Sequence, residues 1–506
     1  MIGRNVKRKD VKRNDMKCKK SIGERCGRSR ISITFYFFTF YVGSLLISVL
    51  PASAQPHHPN IVFILIDDMG QRDVGCYGSR FYETPNIDAL AQRGMRFTNA
   101  YAACPVCSPT RVSILTGKYP ARLNLTDWLP GRPDRPDQKL ARPKIIDHLP
   151  LEENNIAKAL KSAGYVSASI GKWHLGGPKY WPEKQGFDLN VGGTATGSPP
   201  GGYFNFKTPS MTATDPDEYL TDRLTSEAEK FIEQNKDRPF FLYLAHYAVH
   251  IPLQAKQKML EHYRQKIRPD DPQDNPIYAA MVQSVDESVG RIVKKIVELN
   301  LSDNTLIIFT SDNGGLSVKE GPNTPSTSNA PLRAGKGYLY EGGIREPLIA
   351  VWPNVIPTTS TCDAAVCSID FYPTFLKLAD VQPAPGQIID GVDINPLLRK
   401  TGAISRDALY WHYPHYANQG GKPGAAVREG NWKLIQFYED DHVELYNLAE
   451  DIEEKNDLSK SEPQRAEHLR QMLNTWRKSV DAKMMTPNPN YRPGGNASTQ
   501  IEAAFD

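Results

Sequence analysis

A short run that begins at Cys107 combines residue types suited to binding an anion. The run reads Cys-Ser-Pro-Thr-Arg and continues to Gly117. Pro109 suits the first turn of a helix, where its missing N–H costs no hydrogen bond, and Gly117 suits the left-handed residue that ends one. The unpaired N–H groups of such a helix favour an anion beside Cys107, and Arg111 lies one turn further on, within reach of the position-107 side chain. The pattern predicts a site for an anionic substrate, and the alternative is a structural cysteine buried at a helix end.

Oxygen-bearing side chains follow two largely apolar stretches of the chain. Residues 60–66 and 305–310 have the continuous apolar character that is typical of buried strands in a parallel sheet. The residues that come after these stretches are Asp67, Asp68, Asp312 and Asn313. Ligands of open α/β sheets bind at the carboxyl ends of the strands, and adjacent carboxylates repel each other unless they share a cation. The pattern predicts a metal site, and the alternative is a turn with solvated acids.

Strands and helices alternate along much of the chain. The further strands are predicted at 165–170, 240–245 and 348–352, and the helices at 85–93, 151–163, 217–235 and 277–299. This alternation indicates a doubly wound α/β domain. After about Pro383 the pattern changes to strand, turn and strand over 427–435, with a helix near 461–479. The later part therefore predicts a smaller α+β subdomain.

Several blocks of the sequence resemble motifs of the type I sulfatases. The run C-S-P-T-R-V-S-I-L-T-G from Cys107 resembles the family signature C-x-P-x-R with a following L-T-G. The other blocks are G-K-W-H-L-G at 171–176, the stretch 240–252 ending in V-H-I-P, G-K-G at 335–337 with Y-E-G-G-I-R at 340–345, and L-Y-N-L at 445–448. The family usually has proline where this chain has Val249. The resemblance runs in the family's order over about 60–458 and implies an alkaline phosphatase-like α/β fold. That fold has a large, mixed, mostly parallel sheet sandwiched by helices and a smaller C-terminal α+β subdomain with an antiparallel sheet.

The same resemblance implies a modified cysteine and a metal. In that family a formylglycine-generating enzyme oxidises the signature cysteine to formylglycine (3-oxoalanine), whose hydrate is the nucleophile. Carried over position by position, the implied metal ligands are Asp67, Asp68, Asp312, Asn313 and the modified Cys107. Their hard oxygen atoms suit Ca²⁺, which the family usually holds, or Mg²⁺. The implied catalytic residues are Cys107, Arg111, Lys172, His174, His250 and Lys336.

The reaction that the resemblance implies is hydrolysis of a sulfate monoester. One hydroxyl of the hydrate attacks sulfur in line with the departing alcohol, while Arg111, Lys172, Lys336 and the metal stabilise the sulfuryl oxygens. His250 protonates the leaving oxygen, and His174 then helps to deprotonate the second hydroxyl, which expels sulfate and restores the aldehyde. The alternatives are a phosphate mono- or diester or phosphonate ester hydrolase of the same superfamily, and a binding protein without catalysis.

Three loops are predicted to form walls of the substrate pocket. They are 128–144, the Gly-rich stretch 192–206 and the aromatic, His-rich stretch 410–416. The residues expected to contact substrate are Lys172, His250, Lys336, His412 and His415. Such loops can stack on a sugar ring and read its hydroxyls, which favours a sulfated carbohydrate over a small aryl sulfate. For any one of these residues the alternative is ordinary packing.

The first 54 residues have the organisation of a signal peptide. A basic segment precedes an apolar run at 31–50, and Ala52-Ser53-Ala54 has the form of a cleavage site. We expect export to the periplasm or the medium, without stable membrane insertion after cleavage. The alternative is an uncleaved anchor, because the apolar run approaches the ~20 residues that span a bilayer. The expected domains are 1–54 for the leader, 55–383 for the catalytic α/β domain, 384–485 for the C-terminal α+β subdomain and 486–506 for an extended tail.

The charge of the chain and its cysteines indicate which partners and which disulfides to expect. The leader carries 12 Lys and Arg against 3 Asp and Glu, whereas the whole chain has a net charge of +4, so the remainder is close to −5. No basic stripe with interleaved aromatics is present, which argues against a nucleic-acid partner. Two of the seven cysteines lie in the leader. Cys362 and Cys367 could pair in an oxidising compartment, and Cys76 and Cys104 could pair or simply be buried.

Overall fold

The computed structural model describes residues 58–493. The predicted leader, its cleavage site and residues 494–506 lie outside the described residues. Across 58–493, no helix has both the length and the apolar character needed to cross a membrane.

The strands and helices follow the predicted alternation. The strands are β1 Asn60–Ile66, β2 Met95–Phe97, β3 Ala100–Tyr101, β4 Leu140–Ala141, β5 Val166–Gly171, β6 Leu189–Val191, β7 Lys207–Thr208, β8 Met211–Thr212, β9 Phe240–Ala245, β10 Thr305–Ser311, β11 Leu348–Val351, β12 Ser360–Cys362, β13 Val366–Cys367, β14 Leu409–Tyr413, β15 Gly424–Glu429, β16 Trp432–Phe437, β17 Val443–Asn447 and β18 Thr486–Pro487. The helices are α1 Pro85–Gln92, α2 Cys107–Thr116, α3 Pro120–Leu123, α4 Ile156–Lys161, α5 Leu220–Gln234, α6 Gln257–Arg264, α7 Pro276–Glu298, α8 Glu341–Ile344, α9 Phe371–Leu378, α10 Asn395–Leu398 and α11 Pro463–Ser479.

The largest sheet of the described chain has eight strands and is mixed. Its order is β12-β2-β11-β10-β1-β9-β5-β6. The central strands β10, β1, β9, β5 and β6 are parallel, whereas β11 runs antiparallel to both of its neighbours. This arrangement confirms the predicted α/β class with a large, mostly parallel sheet.

Both faces of this sheet are covered, as the continuous apolar character of β1 requires. Val62, Ile64 and Ile66 pack with residues of α5 and α7 on one face. The alternate residues, including Phe63, pack with residues of α2, α4 and α9 on the other. The residues that follow β1 therefore emerge at the carboxyl end of a strand that is buried on both faces.

The four-stranded antiparallel sheet β14-β15-β16-β17 packs with α11. The same apolar cluster includes Cys104 and Val106, which directly precede α2. The C-terminal sheet thus supports the segment that leads into Cys107. The predicted boundaries of the domains at 383 and 485 remain predictions.

One expectation is corrected by the structure, and the open alternatives for the cysteines are decided. The helix predicted over 151–163 begins only at Ile156, because the Asn155 side chain accepts hydrogen bonds from the N–H groups of Ala157 and Lys158 and ends the preceding turn. The pairs suggested for Cys76, Cys104, Cys362 and Cys367 do not form, since all five cysteines within 58–493 are free thiols.

Candidate active site

Three buried carboxylates meet at the carboxyl edge of the central sheet. β1 and β10 are parallel neighbours with Ile66 beside Ser311, so the residues that follow them emerge together. Asp67, Asp68 and Asp312 are at most 1% exposed, and each offers an oxygen within 4.8 Å of the others. The structure therefore brings together the acidic residues that the sequence places after these two strands.

Two oxygens of this cluster have no hydrogen-bond partner within residues 58–493. They are Oδ1 of Asp67 and Oδ1 of Asn313, and both are buried. The amide of Asn313 donates from Nδ2 to Oδ1 of Asp68 at 2.7 Å, which leaves its oxygen as an open ligand atom. Buried polar atoms are rarely unpaired in folded proteins, and hard oxygens are the donors that Ca²⁺ and Mg²⁺ prefer. The donor set thus fits a divalent cation of this class.

Two buried lysines hold the adjacent carboxylates. Lys172 donates from Nζ to Oδ2 of Asp67, and Lys336 donates to Oδ2 of Asp68, both at 2.7 Å. Burial, with Asp312 and Asp68 nearby, raises the pKa of Asp67 well above its ordinary value although Lys172 opposes this. Burial also opposes the ionisation of Asp68, but Lys336 holds the pKa of that carboxyl below its usual range. A bound divalent cation would favour the ionised form of both.

Arg111 makes a different contact from the one expected. Its Nε donates to Oδ2 of Asp312 at 2.8 Å, and its Nη2 lies 2.7 Å from the same oxygen. Its Nη1 donates to the main-chain carbonyl of Lys172 at 3.0 Å. The guanidinium therefore ties α2 to the end of β10, and within the described residues it forms no hydrogen bond with Cys107.

Cys107 is the first residue of α2, and it faces His174. Its Sγ lies 3.4 Å from Nδ1 of His174, whose Nε2 lies 2.6 Å from the carbonyl oxygen of Leu129. Because a carbonyl only accepts, Nε2 carries the proton and Nδ1 of the neutral ring is free to accept one. Burial, with Lys172, lowers the pKa of His174 well below its ordinary value, and burial raises the pKa of the Cys107 thiol. Both groups are therefore neutral near pH 7.

His250 lies beside Asp68. Its Nε2 is 3.6 Å from Oδ2 of Asp68, while Nδ1 lies 2.7 Å from the carbonyl oxygen of Ile251. Burial and Lys336 lower the pKa of His250 well below its ordinary value, against the effect of Asp68. The hydroxyl of Tyr203 lies 2.8 Å from the main-chain carbonyl of His250 and fixes this turn. Tyr203 lies in the predicted 192–206 wall, but its own role was not predicted, because it is a contact with the main chain of a distant segment.

The hydrogen bonds that His412 and His415 form within 58–493 go to residues outside this site. His412 uses both ring nitrogens, on the Tyr438 hydroxyl at 2.6 Å and on the carbonyl of Lys483 at 3.0 Å. His415 has Nε2 2.8 Å from the hydroxyl of Thr126 and borders a cavity beside the 127–142 loop. The role of both residues in substrate binding stays a prediction.

Two further residues at the site, Ser108 and Glu346, were missed by reasoning from the sequence. Ser108 donates from Oγ to the carbonyl of His174 at 3.0 Å and accepts from the N–H of Leu129 at 3.1 Å. Glu346 is buried, neither carboxyl oxygen has a hydrogen-bond partner in the described part of the chain, and burial with nearby Asp312 raises its pKa well above its ordinary value. Signals existed for both, because Ser108 lies inside the run that begins at Cys107 and Glu346 directly follows the block at 340–345.

The assembled site can bind a tetrahedral oxyanion. Arg111, Lys172 and Lys336 supply positive charge around the position-107 side chain, and the first turn of α2 supplies the positive end of a helix dipole. The neutral imidazole of His174 contacts the sulfur of Cys107, and that of His250 lies beside Asp68. The arrangement suits transfer of an anionic group to or from position 107 with proton transfer at both ends.

Two protein-family models match this chain. A model described as "Sulfatase" matches residues 59–381. A second, described as "N-sulphoglucosamine sulphohydrolase, C-terminal", matches residues 334–480.

Named relatives and solved structures are also similar to this chain. N-acetylgalactosamine-6-sulfatase of Canis lupus familiaris is 36% identical over 383 residues, which cover 72% of this chain and 70% of that protein. Arylsulfatase A of Homo sapiens is 35% identical over 422 residues, which cover 78% of each chain. The crystal structure of Ps i-CgsB in complex with k-i-k-neocarrahexaose has a TM-score of 0.72 and 32% identity, covering 84% of this chain and 94% of that one.

Proposed function

This chain belongs to the sulfatase family and hydrolyses sulfate esters, and we propose that Cys107 is the precursor of its nucleophile, a hydrated formylglycine beside a divalent cation. The observation that carries the proposal is the state of Cys107. Burial raises the pKa of its thiol, so the sulfur is a poor nucleophile near neutral pH. The side chain nevertheless lies at the N-terminus of α2, 3.4 Å from a ring nitrogen of His174 that can accept a proton.

Formylglycine would supply at this position the hydroxyl nucleophile that the buried thiol cannot. The conversion takes two electrons from Cβ to an external oxidant such as dioxygen, introduces one oxygen atom and releases the sulfur as sulfide. We therefore propose a formylglycine-generating enzyme as a partner during maturation.

The metal site of this proposal uses the carboxylate cluster. Its ligands would be Asp67, Asp68, Asp312 and Asn313, with the position-107 side chain as a further ligand. Ca²⁺, or Mg²⁺ in its place, would polarise the sulfate oxygens when bound. The unpaired oxygens of Asp67 and Asn313 support this assignment.

The buried cations would bind and orient the sulfate group. Lys172 and Lys336 lie on the two adjacent aspartates, and the Arg111 guanidinium is fixed by Asp312 and by the Lys172 carbonyl. Fixed positive groups in a site without water stabilise charge on the sulfuryl oxygens more than solvent does. These residues also anchor the substrate in line with position 107.

Two histidines would move protons at opposite ends of the reaction. His250 directs Nε2 into the site and would protonate the oxygen of the departing alcohol. His174 is held with its proton on Nε2, toward Leu129, so Nδ1 would accept a proton from the position-107 side chain. A fixed tautomer makes this transfer possible without rearrangement of the ring.

For the substrate, we propose a sulfated carbohydrate, with aryl sulfates as artificial substrates. The names of the relatives support this, since one acts on N-acetylgalactosamine 6-sulfate and one solved neighbour holds a neocarrahexaose. His412 and His415 would contribute to the far wall of the pocket. The proposed location is the periplasm or the medium, supported by the form of residues 1–54.

The proposal is tested on the full chain produced together with a formylglycine-generating enzyme. We expect mass spectrometry of the peptide with position 107 to show an aldehyde, and sulfate to be released from an aryl sulfate faster than phosphate from an aryl phosphate. Cys107→Ala should lower sulfate release by at least about 10³-fold, the scale on which a nucleophile is lost.

Cys104→Ala is the matched control, because Cys104 is also buried and also has a raised pKa but faces the carbonyl of Thr126. It should retain sulfate release. An unmodified thiol at position 107 in fully active enzyme would overturn the proposed nucleophile. Faster turnover of the aryl phosphate would favour a phosphate hydrolase instead.

A further inference from the structure

A cavity lies beside the active site, between the 127–142 loop and residues 415–418. It opens to solvent, and its empty space of about 400 Å³ includes part of that open solvent. The polar side chains that line it include Asp127, Arg132, Arg142, His415 and Asn418. None of these belongs to the carboxylate cluster or to the residues around Cys107.

Buried polar atoms in this cavity lack partners. Nη1 of Arg142, Nδ1 of His415 and Oδ1 of Asn418 form no hydrogen bond within the described residues. His415 is only 1% exposed. Arg132 and Arg142 also take part in no ion pair within 58–493, whereas Arg135 on the same loop is 3.0 Å from Asp137. Unpaired buried polar atoms are costly. A ligand that accepts hydrogen bonds would satisfy Nη1 of Arg142, whereas the amide oxygen of Asn418 needs a donor.

The cavity is also positively charged overall. Arg132, Arg135 and Arg142 line it together with two acids, Asp127 and Asp134. Oδ2 of Asp127 lies 3.6 Å from Nδ1 of His415. Burial raises the pKa of Asp127 to about 7, although Arg142 and Arg132 oppose this, so the carboxyl is partly neutral at neutral pH. The guanidinium groups of Arg132 and Arg142 therefore lie in a cavity lined by more positive than negative side chains. Guanidinium groups bind sulfate-like and carboxylate groups with paired hydrogen bonds.

The cavity wall is rigidly joined to the catalytic residues. Leu129 donates from its N–H to Oγ of Ser108 and accepts from Nε2 of His174 through its carbonyl. The far end of the loop is held by Asn488, whose Nδ2 donates to the carbonyls of Arg135 and Gln138. A group bound in this cavity would thus be held in fixed relation to the position-107 side chain.

We propose that this cavity binds a second anionic group of the substrate, a sulfate or a carboxylate carried by the sugar next to the one that is hydrolysed. The inference rests on the proposed sulfated-carbohydrate activity. It predicts that the enzyme selects chains with negative charge on adjacent sugars and that the selection acts through KM.

The test compares oligosaccharides that share the hydrolysed sulfate and differ in the neighbouring sugar, which carries no charge, a sulfate or a carboxylate. For the wild-type enzyme we expect kcat/KM to be about tenfold higher for at least one of the charged substrates, and that substrate identifies the group. Arg142→Gln and Arg132→Gln should each reduce this preference several-fold. Arg80→Gln is the control, because Arg80 is a surface arginine with 68% of its side chain exposed and should keep the full preference.

Turnover of an aryl sulfate reports separately on the catalytic site. If the wild-type enzyme hydrolyses the aryl sulfate and shows no preference among the oligosaccharides, the inference is overturned and the proposed function stands. If it hydrolyses no sulfate ester, both are overturned. A preference that survives in both variants, with their fold checked by circular dichroism, also overturns the inference. If Arg142→Gln does not fold, the half-buried Arg132 decides the outcome.

Discussion

At the residue scale, the proposed role of His250 is to protonate the leaving group. Its Nδ1 is engaged by a main-chain carbonyl, so only Nε2 can serve the reaction. The lowered pKa of His250 belongs to the substrate-free protein, and the negative charge of a bound sulfate ester favours the protonated ring. Its contribution should therefore depend on how much the departing oxygen needs a proton.

His250→Ala tests this dependence. We expect kcat/KM to fall by about 10²–10⁴-fold for a sugar sulfate, the usual contribution of a general acid, and far less for a nitrophenyl sulfate. A nitrophenolate leaves without protonation, whereas a sugar alkoxide does not. The measurement is kcat/KM over a series of sulfate esters with leaving groups of increasing pKa, which should give a steeper slope for the variant.

His246→Ala serves as the matched control for this series. His246 is buried directly after β9, and its Nε2 lies 3.0 Å from the hydroxyl of Ser288, outside the site. Its loss should leave the slope at the wild-type value. An equal loss on all esters in His250→Ala would assign His250 to sulfate binding alone.

At the scale of elements, a buried charge network joins the antiparallel sheet to α8, which follows the Lys336 segment. Lys433 on β16 lies 2.9 Å from a carboxylate oxygen of Glu341 and 2.9 Å from one of Glu454. Glu341 is also paired with Arg345 at 2.6 Å. The network fixes the start of α8 against the smaller sheet and so supports the loop that carries Lys336.

Lys433→Met should destabilise the protein by about 3–5 kcal/mol, because it leaves the buried carboxylate of Glu454 without its cationic partner. Burial raises the pKa of Glu454 to about 7 even with Lys433 present. A carboxyl whose pKa is raised on folding loses its stabilising contribution as pH rises through that value, so the loss should be larger at pH 8 than at pH 5.5. Urea unfolding at both pH values measures the two free energies.

The double variant Lys433→Met with Glu454→Gln separates charge from packing. Glu341 keeps Arg345 in this variant, and the neutral amide removes the uncompensated charge. Stability should recover in part, and its difference between pH 5.5 and pH 8 should shrink. No recovery would mean that the shape of Lys433, and not its charge, supports α8.

The elements also show which features the sequence could predict. The apolar runs of β1, β9 and β10 were correctly predicted, because strands buried on both faces need unbroken apolar character. The antiparallel direction of β11 was not, since a run of apolar residues carries no information on direction. The true start of α4 was signalled by Asn155, a preferred N-cap residue.

The site residues likewise include some that the sequence could predict and some that it could not. The polar residues after β1 and β10 were predictable because strand ends share one edge of the sheet. The contact of Arg111 with Asp312 was not, because helix spacing favours neighbours on the same helix, whereas this pair joins positions 201 residues apart. Likewise, the unpaired groups of Arg142 and His415 become visible only when distant loops meet.

At the scale of the whole molecule, the proposed metal site exists only when the chain is folded. Asp68 and Asn313 are hydrogen-bonded although they are 245 positions apart in the sequence. A cation that binds here binds the folded state alone and stabilises it by mass action. The carboxylates also have cationic partners, with Lys172 on Asp67, so the metal-free protein has its own compensation for their repulsion.

Removal of the metal should therefore abolish activity while the protein stays folded. We expect chelation to lower Tm by several degrees, and Ca²⁺ or Mg²⁺ at about 100 times Kd to restore about 2.7 kcal/mol of stability by mass action. Asp67→Asn should remove most of this metal-dependent shift, because it neutralises a central ligand. Asp286→Asn is the control, since Asp286 is a buried carboxylate bound to Asn86 and to the N–H of Ile87 outside the site, and its shift should match the wild type. Thermal unfolding with and without added cation measures the shift of Tm for the wild type and for both variants. An equal shift in Asp67→Asn and the wild type would place the ion elsewhere.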